Sequence, residues 1–335
     1  MRNSGIVRLV GAFVLGSVCL VLGTAQAAKP GGGGTDPCAA AGLDFPAFAY
    51  RTVSGKTHTI YVADAQGKCN RAVTTSTISL MAPKFSYPVD GTTNKGRIVF
   101  LQGAGVIYAI DFTVGTGNKV TSNPKRLLTT TSGCCSLDLS SDGQIVYFSE
   151  TDTSLARFSV AAPASPVRFY TLPPEDSSWF FQMGSINGDG TQFFATKTGF
   201  SENAGGSQLV RIDLVSGTEF LLREWLPQNG YGANPFWPSA DKSQARVAFN
   251  EYNLNTNNCT PLTVTDYSGN QLFPAPFTTE RVGRDPTWVG NDVVMQRRTP
   301  MDGSGKCSTT TSISMIDLDS TAETVLVTGH NPDGR

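Results

Sequence analysis

Strand-like runs set between Asp-Gly turns, their return at a nearly fixed period, and the lack of any amphipathic helical segment together predict an all-β fold. The predicted form is a six-bladed β-propeller of four-stranded antiparallel blades, preceded by a signal peptide and a Gly-rich tether.

Residues 1–27 read as a secretory leader. Arg2 and Arg8 give a basic start, Leu9 to Gly23 is nearly all apolar, and Ala25-Gln26-Ala27 is a small-x-small cleavage site. The apolar run is short for a membrane-spanning helix, so no span is expected in the mature chain. Cys19 lacks the lead of a lipoprotein signal. The next residues, AKPGGGGTDP, form a tether with nothing to bury, and residues 28–45 are read as tether plus N-terminal clip.

Cleavage after Ala27 removes two positive charges and no acid, which takes the formal net charge from −1 to −3. No segment is strongly basic, which argues against nucleic acid as a partner. The expected location is periplasmic or secreted, and the expected state a monomer.

Residues 46–335 carry the repeat. Asp90-Gly91, Asp142-Gly143, Asp189-Gly190 and Asp333-Gly334 are its turns, with Asp241-Lys242 and Asn291-Asp292 as degenerate copies. Strand-like runs follow at 97–101, 145–149, 192–196, 246–250 and 292–296, and AFAYR at 47–51 is a first copy without its turn. The second strand of most units ends on an aspartate: Asp64, Asp111, Asp213, Asp266 and Asp317, with Ser159 in the third unit. Successive spacings are 47, 48, 54, 53 and 51 residues. A further strand closes each unit, so each holds the strand content of one blade. The terminal His330-Asn331-Pro332-Asp333-Gly334-Arg335 is the turn missing from unit one, and is expected to dock there and close the ring. A truncated seventh blade is the competing reading.

The units resemble the TolB-like propeller repeat, also termed the WD40-like PD40 repeat. NPFWPSADKSQARVAFN (234–250) and DPTWVGNDVVMQ (285–296) match its lead, with Trp237 and Trp288 at the tryptophan position. FAYRTVSGKTHTIYVADAQGKCNRAVT (48–74) matches the rest. The resemblance implies a six-bladed ring whose central channel binds partners. TolB has an N-terminal α/β domain ahead of its propeller, whereas only the tether precedes the first blade here.

The chemistry-bearing residues are sparse. The Asp-Gly turns are structural, since Asp accepts backbone hydrogen bonds and Gly supplies positive φ; no metal site is expected. His58 and His330 have no nucleophile motif around them, and no Gly-x-Ser-x-Gly elbow exists. Polysaccharide lyases resembling this family use several histidines around a metal, which two distant histidines fit poorly. The acids Glu175, Asp176 and Asp285 are candidates for glycoside hydrolysis. The tryptophan-rich repeat of the larger quinone-dehydrogenase propellers is absent, and no cofactor is expected.

Six cysteines remain beyond the leader, and an even count in an exported chain points to disulfides. Cys38 flanks the first strand of unit one and Cys69 its third, so a Cys38–Cys69 bridge is expected. Cys259 and Cys307 fall in the same loop of adjacent units, which suggests a second bridge. Cys134 and Cys135 are then left to pair with each other, although sequence alone leaves fifteen pairings open.

Counting eight and seven residues back from each turn aspartate aligns Cys134-Cys135, Phe181-Gln182, Ala233-Asn234 and Arg284-Asp285 as a ring at the channel mouth. Trp179 and Tyr231 fall in the same leads. The expected binding residues are therefore Cys134, Cys135, Trp179, Phe181, Gln182, Tyr231, Asn234, Arg284 and Asp285. The function read from these features is non-catalytic: the propeller binds an envelope protein or a glycan through its channel face. The alternative is an extracellular enzyme that cleaves a polysaccharide or ester.

Overall fold

A computed structural model describes residues 36–39, 45–89, 91–103, 105–123, 126–130, 136–176, 178–199, 206–225, 238–250, 262–272, 282–301, 306–320 and 322–334. Its strands run β1 (Phe48–Ser54), β2 (Thr57–Ala63), β3 (Asn70–Ser76), β4 (Leu80–Ser86), β5 (Lys95–Gln102), β6 (Val106–Gly115), β7 (Lys119–Ser122), β8 (Arg126–Thr130), β9 (Leu137–Leu139), β10 (Ile145–Thr151), β11 (Ser154–Ser159) and β12 (Val167–Thr171). They continue through β13 (Trp179–Ile186), β14 (Gln192–Gly199), β15 (Gly206–Asp213), β16 (Glu219–Trp225), β17 (Ser239–Ala240), β18 (Arg246–Phe249), β19 (Thr263–Asp266), β20 (Val282–Val289), β21 (Asp292–Met301), β22 (Lys306–Ile316), β23 (Glu323–Thr328) and β24 (His330–Gly334).

These strands build six antiparallel blades. Blade two is β4-β5-β6 with both β7 and β8 on its outer edge, blade three β9 to β12, blade four β13 to β16, and blade six β20 to β23. Blade five shows β17-β18-β19, with Gln271 bridging Thr265 where the fourth strand belongs. Blade one is β24-β1-β2-β3: the C-terminal strand supplies the innermost position, with Gly334 opposite Phe48 and Asp333 opposite Ala49. Ring closure is thus the expected one. The six innermost strands, β24, β4, β9, β13, β17 and β20, each touch the next around the ring.

The second strand of each blade is apolar on both faces because each blade packs between two others. In β5, Ile98 and Phe100 join Ile60 and Val62 of blade one, while Val99 and Leu101 join Val146 and Phe148 of blade three. The same division gives Tyr147 and Phe193 between blades three and four, Phe194 and Val247 between four and five, Ala248 and Val293 between five and six, and Val294 and Phe48 between six and one. Burial on both faces makes these strands near-continuous apolar runs, since neither side meets water. Trp288 is one such residue: it is buried, stacks under the Arg246 guanidinium at 4.3 Å, and donates from Nε1 to the Ser239 carbonyl at 2.9 Å.

The Cys38–Cys69 bridge is present and ties the short 3-10 turn Pro37–Ala39 to blade one. Asp36 pairs with Arg71 at 2.5 Å, and Asn118 of blade two donates to the Cys38 carbonyl at 3.0 Å. The clip therefore fastens the periphery of two blades. Cys134, Cys135 and Cys259 lie outside the described residues, and Cys307 is described only as a residue of β22 opposite Pro300.

Candidate functional site

The innermost strands create the site through their register. Opposite the second-strand residue that faces the next blade stand Asp333, Lys84, Asp138, Ser185, Ser239 and Thr287, in order around the ring. All six are polar. Four of them reach to the next blade and accept the backbone N–H one residue past its own ring position. Asp333 accepts from Phe85 at 2.7 Å, Asp138 from Ile186 at 2.7 Å, Ser185 from Ala240 at 3.0 Å, and Thr287 from Gly334 at 2.6 Å. Lys84 has no acceptor to offer blade three, and there Asp138 caps the Leu139 N–H itself at 2.8 Å. The side chains thus satisfy buried edge donors that no strand pairs.

The ring is also charged. Lys84 Nζ lies 3.1 Å from Asp333 Oδ1, and Lys242, reaching in from the turn after β17, lies 3.0 Å from Asp138 Oδ2. Burial works against the Asp138 carboxylate, but Lys242 and Lys84 outweigh it and hold the carboxyl below its ordinary range. Burial pushes the Asp333 carboxyl upward, and Lys84 only partly offsets this. Burial likewise opposes the charge on Lys84, yet Asp333, Asp138 and Asp285 together raise its pKa, so the ammonium stays charged.

Just ahead of the ring lies a cavity of about 230 Å³, open at the channel mouth. Its wall repeats one motif. The residue before the ring position is Pro332, Pro83, Pro238 or Pro286 in four blades, and Leu137 and Gly184 in the other two. Proline is tolerated because one edge of an innermost strand faces the channel, so no ladder bond is lost. In blades six, one and two the residue before that proline, Asp285, Asn331 or Ala82, is left-handed at φ 53, 47 and 47°. A non-glycine residue there is strained, and such strain concentrates at functional sites. The strand register slips at the same place in these three blades and in blade four, so each strand carries a bulge that turns side chains into the mouth.

The lining is sided. Arg51, Lys84, Asp285 and Asn331 come from blades one, two and six, and Asn331 Nδ2 donates to Asp285 Oδ2 at 2.7 Å. Leu137, Met183, Gly184 and Pro238 from blades three to five form an apolar wall, joined by Met81 and Leu101.

Of the residues expected at the mouth, Asp285 lines this cavity. Phe181 does not: it is fully buried between blades three and four, 5.9 Å from the Tyr170 ring, which corrects its placement at the mouth. Gln182 is half-buried within the blade-four bulge, and Trp179 is half-buried with Lys197 Nζ 5.9 Å from its ring; neither lines the cavity. Arg284 is placed by its backbone opposite Gln296. Cys134, Cys135, Tyr231 and Asn234 lie outside the described residues. Counting back from the turn fails because turns differ in length, with Val289 facing Asp292 across two residues and Leu139 facing Val146 across six, and because in blade four the register shifts between Phe181 and Gly184. The recurring Xaa-Pro dipeptides at 82–83, 237–238, 285–286 and 331–332 were the visible signal for the true lining.

No family profile and no curated protein sequence matches the chain. Among solved structures it is similar to TolB from Acinetobacter baumannii, with a TM-score of 0.51 and 15% identity over 88% of this chain and 68% of that one. It also matches an oligogalacturonate lyase in complex with manganese (TM-score 0.46, 15% identity, 75% and 74% covered). A putative 6-phosphogluconolactonase from Bacteroides uniformis matches with a TM-score of 0.48 and 7% identity over 86% and 98%. At such identities the likeness is one of fold. The chain is a six-bladed β-propeller of TolB-like fold.

Proposed function

We propose that this is an exported, non-catalytic propeller that binds an envelope protein or a glycan through its channel face. The observation that carries the reading is the sided cavity at the mouth, where an apolar wall faces a charged one over strained, proline-braced backbone. Such a concave surface with a few placed polar groups suits recognition. Asp285 is the single carboxylate among the described lining residues, whereas hydrolysis of a glycoside by paired acids needs two. Asp176 is turned instead to Lys197, 3.0 Å away. The Cys38–Cys69 bridge supports an oxidising compartment, periplasmic or extracellular. Among the described residues no helix is long and apolar enough to cross a membrane.

The adjacent Cys134-Cys135 pair, with Trp179, Gln182, Tyr231, Asn234 and Arg284, belongs to the proposed contact surface around the mouth. The test is capture from the native envelope, with mass spectrometry of what co-elutes and a glycan array beside it. Cys134→Ser/Cys135→Ser should weaken capture more than it lowers the melting temperature. A protein that captures nothing and binds no glycan overturns the reading.

A further inference from the structure

Among the described ring residues, Lys84 is a cation with hydrogen-bonding capacity left over. It is part of the cavity wall, and 22% of its side chain is exposed. An ammonium carries three donors, and among the described residues Lys84 hydrogen-bonds only to Asp333. Two donors remain for an acceptor arriving from the mouth. Arg51, whose Nη1 donates to the Leu80 carbonyl at 2.7 Å, adds a second cation to the same side, and Asp285 accepts from Asn331. Among the described lining residues two cations, Lys84 and Arg51, stand against one carboxylate, Asp285, with Asp333 behind Lys84.

Across from them, Leu137, Met183 and Pro238 offer no side-chain donor or charge. A thioether packs against flexible or irregular apolar groups. At about 30 Å³ per water, the cavity would hold roughly eight waters, which is the size of a small molecule rather than of a folded element.

We infer that the cavity is a site for a small amphipathic monocarboxylate, its head on Lys84 and its apolar body against Leu137, Met183 and Pro238. The inference rests on the reading of this mouth as the binding face. A carboxylate replaces the water on two ammonium donors with charge-assisted bonds, and the apolar body releases water from the opposite wall. An amine of the same shape would set a cation against Lys84 and Arg51.

Octanoate and octylamine are suitable probes by titration calorimetry. Octanoate should bind the wild-type chain, and octylamine about tenfold or more weakly, that is ~1.4 kcal/mol or more. Lys84→Met should weaken octanoate by about tenfold or more, since it removes both charge-assisted hydrogen bonds to the head. That variant breaks the Asp333 pair, so Met183→Trp, which fills the cavity from the apolar side, serves as a second test. It should abolish octanoate binding with little change in melting temperature. Equal binding of the two probes, no octanoate binding at millimolar concentration, or undiminished binding by Met183→Trp overturns the proposal. Envelope capture is a separate readout, so octanoate failure with capture intact sinks the small-ligand site alone.

Discussion

Lys84 and Asp333 are 249 residues apart in the chain, and their charged atoms are 3.1 Å apart at the centre of the ring. Asp333 stands near the end of the strand that closes the propeller, and its second oxygen takes the Phe85 N–H at 2.7 Å. One side chain thus joins blade one to blade two by a charge pair and a backbone bond.

Removing it should be felt throughout the ring. Asp333→Ala leaves a lysine and a backbone donor without partners, and breaking a buried pair costs about 3–5 kcal/mol. Lys84 keeps some exposure, so the low end of that range is expected in denaturant titration. A loss below about 1 kcal/mol would show that the pair does not brace closure.

The ring position of blade six should matter for a neutral reason. Thr287→Val keeps the shape but strips the acceptor from the Gly334 N–H, 2.6 Å away. An unsatisfied buried donor costs about 1–3 kcal/mol. Gly334→Ala should be worse, because its Cβ would sit 1.7 Å from the Trp288 carbonyl oxygen and the closing strand would have to move. Equal midpoints for wild type and both variants would refute this latch.

Acid should loosen the ring through Asp138. Its folded pKa is depressed, so its contribution is present above the unfolded value near 3.8 and is lost as pH falls through the lower folded one. Asp333, shifted the other way, contributes the opposite slope above that value. Melting temperature is expected to drop below about pH 4. Asp138→Asn should melt lower at neutral pH, because Lys242 loses its partner, and show a shallower acid slope. Parallel pH profiles for the two proteins would remove Asp138 from this role.

The N-terminal clip should depend on redox state. The Cys38–Cys69 bridge closes a loop of sequence separation 31. On the chain-entropy account such a closure contributes roughly 3–4 kcal/mol. Cys38→Ser/Cys69→Ser, or added dithiothreitol, should lower the unfolding midpoint accordingly, while Asp36–Arg71 holds part of the contact. A midpoint indifferent to reductant would contradict it.

The sequence by itself determined the blade. Asp-Gly turns, runs such as IVYFS at 145–149 and the terminal NPDG are local signals, and a repeat fold is the sum of local units. Six in register therefore specified both the ring and its closure by β24. The tertiary structure alone decided the mouth. Which side chain faces the channel depends on bulges and turn lengths that slip the register, and a slip of one residue moves every side chain to the other face. That is why Phe181 went to the core between blades while Lys84, Arg51 and four prolines took the cavity wall. It is also why Lys84 and Asp333, ordinary residues in their own repeats, became partners only when the first and last blades met.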